Sequence, residues 1–231
     1  MQWDRLESPT WPEPISNQAA KQEVAAQLAA KAADGDVIGI GSGSTSYLAL
    51  LALRQRVAAE GLRVRCVPTS LEIESYLSQI GLEVTSLVAA RPDWCFDGAD
   101  EIDPEHNLIK GRGGAFVREK LVFAAARRRY ILVDKSKFVG RLGEKFALPL
   151  AVIPEAANLV RSQIFDRLGE LPQVRPAGGK DGGVITEQGD LVMDLAITGA
   201  VPVAELNSIL NSVVGVVGTG LFTGFEFEVI S

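Results

Sequence analysis

Histidine is nearly absent from this chain: His106 is the only one in 231 residues. It sits in "DPEHN", a run of turn-forming residues. A Ser-His-Asp triad or a multi-histidine metal site would depend on that one side chain, so neither is expected. Cysteine is almost as scarce. Cys66 and Cys95 are far apart and lack the spacing of a zinc site or a disulfide framework. They read as core thiols in a reducing compartment. No apolar run approaches the roughly 20 residues needed to cross a bilayer. The opening "MQWDRLESPTWPEP" lacks a basic start followed by an apolar stretch, so no secretory signal is expected. There is no excess of positive charge either. With a net charge of -6, long-range attraction to nucleic acid is not expected. An anionic ligand would need a local positive pocket.

What remains is ordinary for a globular protein: 47% hydrophobic and 23% charged residues, enough for a sizeable core. Residues 1–15 are acidic and proline-rich and read as a loosely ordered arm. Ser16 and Asn17 are candidate caps for a helix whose Ala20, Val24, Leu28 and Ala32 recur every four residues. "VIGIG" at 37–41 reads as a strand, and "YLALLALRQRVAAE" as a helix closed by Gly61. "LRVRCV", "LEVTSL", "DWCF" and "YILVD" read as further strands, with helices at "TSLEIESYLSQIG" and 114–128. This βαβα rhythm predicts a parallel sheet covered by helices. The pattern then changes. "FALPLAVIP" predicts a strand that Pro149 interrupts or confines to a sheet edge. A helix at 155–169, a hairpin turning at "EQG" and a helix opening at Pro202 follow. That succession suits a small α+β unit.

Three stretches could carry chemistry. In "GIGSGSTS", Gly39, Gly41 and Gly43 stand with Ser42, Ser44 and Thr45 between a strand and a helix. Two readings fit: a phosphate cradle at a helix start, or only a tight turn. It is neither a Walker loop nor a complete dinucleotide fingerprint. In "DGADEID", Asp97 and Asp100 flank Gly98 and Ala99 at the end of a strand, where open α/β sheets place their sites. The alternatives are a solvated acidic turn or a divalent-metal loop, and the EF-hand register fails because Ala99 takes a ligand position. In "LIKGRGGAFVREK", Lys110 precedes Gly111, Arg112 and Gly113, and Glu119 falls in the first or second turn of a helix. On residue pattern alone, Glu119 could equally be a surface carboxylate paired with a neighbouring Lys or Arg.

Together, "GIGSGSTS", "DGADEID", "LIKGRGGAFVREK", "LVDKSK" and "GVVGTGLF" resemble type A ribose-5-phosphate isomerase in order and spacing, over about residues 18 to 224. The resemblance implies interconversion of ribose 5-phosphate and ribulose 5-phosphate through an enediolate, with no metal and no cofactor. It implies Glu119 as the proton-transferring base and Lys110 as the support of the oxyanion. Asp97 and Asp100 would hold sugar hydroxyls and assist ring opening or the oxygen-to-oxygen proton transfer. Ser42, Gly43, Ser44 and Thr45 would bind the phosphate, with charge from Lys21 and Lys137. Gly98, Ala99, Gly111, Arg112 and Gly113 would line the substrate site. Ser42 stands where many members have Thr, and Arg112 where bacterial members have Gly.

The implied fold is α/β: a Rossmann-like parallel-sheet large domain with a smaller ferredoxin-like α+β domain. Residues 16–144 with 215–231 would form the first and 145–214 the second, after the arm at 1–15. The resemblance further implies a homo-oligomer, dimer or tetramer, in the cytoplasm, acting in the pentose phosphate pathway or the Calvin cycle. The partner is a small sugar phosphate, with no nucleic acid and no membrane. Two rivals share features with this reading. One is a non-enzymatic sugar-phosphate sensor of the same fold, which usually follows a helix-turn-helix. The other is a coenzyme A transferase relative, which uses a Glu as nucleophile.

Overall fold

The computed structural model describes residues 11, 14–179 and 181–231; most of the arm at 1–15 lies outside them. In chain order the first elements are α1 (Gln18–Ala29), β1 (Val37–Ile40), α2 (Ser44–Glu60), β2 (Arg65–Pro68), α3 (Leu71–Gln79), β3 (Glu83–Val84) and β4 (Trp94–Gly98). Next come β5 (Glu101–Ile102), β6 (Leu108–Ile109), α4 (Phe116–Ala125), β7 (Arg128–Leu132), β8 (Leu148–Val152), α5 (Ala157–Leu168) and β9 (Gln173–Val174). The chain ends with β10 (Leu191–Leu195), α6 (Val203–Asn211), β11 (Val216–Thr219), β12 (Leu221–Phe222) and β13 (Glu228–Ile230). The residues form two compact units.

One unit carries the chain as far as Gly98, then Arg118–Lys135 and Glu226–Ser231. Its sheet runs β13-β7-β4-β1-β2-β3, with every neighbouring pair parallel. The central strands read as continuous apolar runs because helices cover both faces of such a sheet. Val37–Ile40 are all buried, and so are Trp94, Cys95 and Phe96. The strand order reverses between β1 and β4, so their carboxyl ends flank a switch point. Trp11 packs its ring against Tyr47 of α2, with centroids 5.4 Å apart.

The expected stripe is buried at Val24, Leu28 and Ala32 but not at its first residue. Ala20 is exposed, and the buried face starts at Lys21, continuing through Val24, Ala25, Leu28 and Ala29. Asn17 stands at the helix start, but in the left-handed region (φ 52°) and with no side-chain cap bond. Ser70 does cap α3, accepting from the Ile73 amide at 3.2 Å. Both cysteines are buried in this unit and neither forms a disulfide, as expected of core thiols.

The other unit carries Ala99–Val117 and Ser136–Phe225. It holds a four-stranded antiparallel sheet ordered β11-β8-β10-β9 and a small sheet ordered β12-β6-β5. Its core gathers Leu148, Leu150, Val152, Val160, Ile164, Met193, Leu195, Leu206 and Leu210. The "EQG" hairpin turn forms, with Ile185 opposite Leu191 and the Thr186 amide donating to Asp190 O at 2.8 Å. The expectation for Pro149 is corrected. It neither breaks its strand nor sits at an edge, because β8 runs between β11 and β10. The pairing with β11 reaches only Leu150, so Pro149 needs no amide on that side. Its carbonyl is used, accepting from the Gly220 amide at 2.7 Å.

Candidate active site

In the parallel-sheet unit, the glycine loop follows β1 as expected. The Gly41 amide donates to Phe96 O of β4 at 2.9 Å. A Cβ at Gly41 would collide with Asp97 Cγ and Oδ1 and with Phe96 O, so only glycine fits. Asp97 is 3% exposed, and its Oδ1 accepts from the Gly98 amide at 2.8 Å. Ser42 shares a hydrogen bond with Thr69 at 2.9 Å, and the Thr69 hydroxyl donates to Ile40 O at 2.9 Å. Gly43 opens α2 with φ 86° and offers no side-chain cap, which leaves the first helix amides of Ser44 and Thr45 to be met from outside. Lys21, 9% exposed, donates from Nζ to Ser44 Oγ at 3.2 Å. One buried cation therefore stands at the positive end of α2.

Glu119 lies in the first turn of α4 and is 6% exposed. It is not the solvated surface carboxylate of the alternative reading. Beside it in sequence, burial pulls the Lys120 ammonium down from 10.5 to about 8, because a low-dielectric setting disfavours its charged form.

In the second unit, the Asp100 amide donates to Ile109 O at 2.8 Å, and Asp100 Oδ2 accepts the Arg112 amide at 3.0 Å. Ala99 is buried beside it. Lys110 is 3% exposed, with Nζ 5.6 Å from the centre of the Phe222 ring and its amide on Gly220 O at 2.9 Å. Gly111 has φ 107°, and a Cβ there would run into the Phe116 ring. The turn closes when the Gly114 amide donates to Gly111 O at 3.0 Å, leaving Arg112 and Gly113 exposed. Lys137 lies elsewhere in this unit, in a short 3-10 turn with Nζ 5.5 Å from the Phe146 ring centre.

Three residues of this architecture escaped the sequence reading. Thr69 could have been found: it is a hydroxyl at the carboxyl end of the strand next to the glycine loop. Glu101, inside "DGADEID", is fully buried and accepts amides from Gly143 (2.6 Å), Lys145 (2.5 Å) and Phe146 (2.8 Å). Arg175 holds the Gly111–Arg112 segment, and nothing local to it in the sequence signals that. Among the described residues, no group of three or more His, Cys, Asp or Glu is placed to hold a metal ion, and no helix is long and apolar enough to cross a membrane.

Comparison with known proteins places the chain among one set of relatives. The profile described as ribose 5-phosphate isomerase A (phosphoriboisomerase A) matches residues 65–231. A ribose-5-phosphate isomerase A of Methanothermobacter thermautotrophicus is 42% identical over 198 residues, 86% of this chain and 87% of its own. One from Synechococcus sp. is 42% identical over 206 residues, 88% of each chain. The solved ribose 5-phosphate isomerase A of Methanocaldococcus jannaschii superimposes with a TM-score of 0.88 at 36% identity, covering 94% of this chain and 96% of that one. A D-ribose-5-phosphate isomerase in complex with phospho-erythronic acid gives 0.86 at 30% identity, covering 91% and 92%. The chain belongs to the ribose 5-phosphate isomerase A family.

Proposed function

We propose that this protein interconverts D-ribose 5-phosphate and D-ribulose 5-phosphate. The observation that carries the reading is the burial of three motif ions: Asp97 and Lys110 are each 3% exposed and Glu119 is 6% exposed. Charged side chains are seldom enclosed so completely, and buried ionisable groups gather at functional sites. In a chain of this family, the task is proton transfer at a carbon next to a carbonyl.

The reaction moves one proton between carbons and one between oxygens. Glu119 takes the proton from carbon 2 of the open-chain aldose and returns it to carbon 1. Free Glu has a pKa of about 4.3, so a carboxylate can do this only if the enediolate charge is stabilised as it develops. Lys110 is assigned that charge. Asp97 and Asp100 hold the hydroxyls and carry the proton from oxygen 2 to oxygen 1. Gly98, Ala99, Gly111, Arg112 and Gly113 supply backbone near the sugar. The loop Ser42, Gly43, Ser44 and Thr45, at the start of α2, takes the phosphate, with Lys21 and Lys137 adding charge.

The relative bound to phospho-erythronic acid supports the isomerase reading. That ligand is a phosphorylated four-carbon acid whose carboxylate offers two oxygens, as an enediolate does. The sensor reading lacks comparable support, since the matching relatives are isomerases. We further infer a cytosolic homo-oligomer, dimer or tetramer, in pentose phosphate metabolism. The test is direct: mix the purified protein with ribose 5-phosphate and follow ketose absorbance. Binding without conversion would favour a sensor.

A further inference from the structure

Among the described residues, the Arg175 guanidinium donates four hydrogen bonds, in two pairs. Nε donates to Asp194 Oδ2 at 2.8 Å and Nη2 to Asp194 Oδ1, a two-pronged ion pair. Nη1 donates to the carbonyls of Gly111 and Arg112, both at 2.8 Å. The Gly111 carbonyl and the Arg112 amide belong to one peptide group. That amide is the one that donates to Asp100 Oδ2 at 3.0 Å. A single peptide plane therefore has the Arg175 guanidinium on its oxygen and the Asp100 carboxylate on its nitrogen.

The anchor is rigid. The Arg175 amide donates to Val192 O at 2.9 Å, and its carbonyl accepts from Val184 at 2.8 Å. Asp194 lies within β10, opposite Pro149 of β8 on one side and Gln173 of β9 on the other. The ion pair is partly buried, its side chains 16% and 27% exposed. A planar fork suits this work: a guanidinium can grip a carboxylate with one edge and two carbonyls with another nitrogen, whereas a lysine ammonium cannot. A cation on a peptide oxygen also polarises that peptide, which makes its N–H a stronger donor.

We infer that Arg175 is a positioning residue for the isomerase reaction: locked by Asp194, it fixes the Gly111–Arg112 peptide, whose amide orients the Asp100 carboxylate. The inference rests on the proposed isomerase activity. Arg175 acts through the peptide and reaches no reacting atom itself. Its loss is therefore expressed in turnover more than in phosphate binding.

The experiment compares wild type, Arg175→Ala, Arg175→Lys and Asp194→Asn in ribose 5-phosphate turnover. Folding is monitored by circular dichroism and thermal unfolding. If wild type does not isomerise, the isomerase reading fails, independently of the clamp. With wild type active, Arg175→Ala is expected to lose roughly 10- to 100-fold in kcat, the scale of a misplaced catalytic group. KM should stay within about threefold, since binding contacts shared by ground and transition states remain. Added guanidinium should restore part of the lost turnover, while urea at the same concentration should not. Arg175→Lys should resemble the alanine variant, and Asp194→Asn should lose less, since the loop bonds remain. A folded Arg175→Ala with near wild-type kcat overturns the inference. So does a loss confined to KM, or rescue by urea equal to that by guanidinium. If the alanine variant does not fold, Arg175→Lys decides alone: folded with wild-type turnover, it sinks the clamp, and folded with depressed kcat, it sustains it.

Discussion

The Asp97 carboxylate fills the space where a side chain on Gly41 would stand. The strand end carrying the acid and the loop after β1 are thus fitted to each other with no room for a methyl group. Gly41→Ala must push Asp97 aside or move the loop. Overpacking of this kind typically costs about 1–3 kcal/mol. Turnover should fall more than that stability loss explains, because an acid displaced by a fraction of an ångström loses its alignment. Unfolding in urea and kcat, measured together, check this. Unchanged turnover in the alanine variant would mean that Asp97 has no positional role.

Lys21 is assigned here to the phosphate end of the substrate. Its buried amine bonds Ser44 at the start of α2. Lys21→Met keeps the buried stem and removes the charge. The variant should fold well, since the cost of holding an ammonium away from water is removed while the stem still packs. Its KM for ribose 5-phosphate should rise about tenfold or more, the scale of losing a charge-assisted bond of roughly 1.5–3 kcal/mol. Activity on unphosphorylated ribose should barely change. Equal losses on both sugars would show that Lys21 does not read the phosphate.

Much of this architecture was legible because local pattern and tertiary role agree. The run 37–41 followed by alternating glycine and hydroxyl residues gave β1 and its loop, and the end of β4 gave Asp97. The errors have physical causes. The four-residue repeat of Ala20, Val24, Leu28 and Ala32 suggested a helix stripe starting at Ala20, yet the buried face of α1 begins at Lys21. An amphipathic lysine can bury its stem as alanine buries its methyl, and composition cannot separate the two. Pro149 suggested an edge strand, but a proline is tolerated inside a sheet where a neighbour's pairing has already stopped. The two-residue strands β5, β6 and β12 have no local signal, because only tertiary pairing makes them. Arg175 was out of reach for the same reason: its loop partners lie 63 and 64 residues away.

Cys66 should make stability depend on pH. Burial pushes its thiol up from 9.0 to about 12. In the unfolded chain the thiol ionises as pH passes about 9, while the folded protein keeps its proton. The unfolded state then binds fewer protons, so stability falls with rising pH between about 9 and 12, at most about 1.4 kcal/mol per pH unit for one group. Cys66→Ala removes this dependence. Urea midpoints for both proteins should converge, or cross, between about pH 8 and pH 10.5. A gap that stays constant across that range would show that the thiol titrates alike in both states.

Glu119 is the residue on which the proposed chemistry turns. It is enclosed in the first turn of α4, and Glu119→Gln preserves its size while removing the basic oxygen. Glu and Gln have similar helix propensities, so α4 should form in the variant. Binding of ribose 5-phosphate should persist, because the groups assigned to phosphate and hydroxyls are untouched. Turnover should fall roughly 100-fold or more, the contribution typical of a positioned general base. The deciding measurement is exchange of the carbon 2 hydrogen with deuterated water, read alongside kcat. Both should collapse together if Glu119 moves the proton. A folded variant that still exchanges and isomerises near the wild-type rate would exclude Glu119 and pass the role to Asp97 or Asp100. Retained exchange with lost isomerisation would instead place the defect after the first proton transfer. Glu119 would then serve the return of the proton to carbon 1 and not its removal from carbon 2.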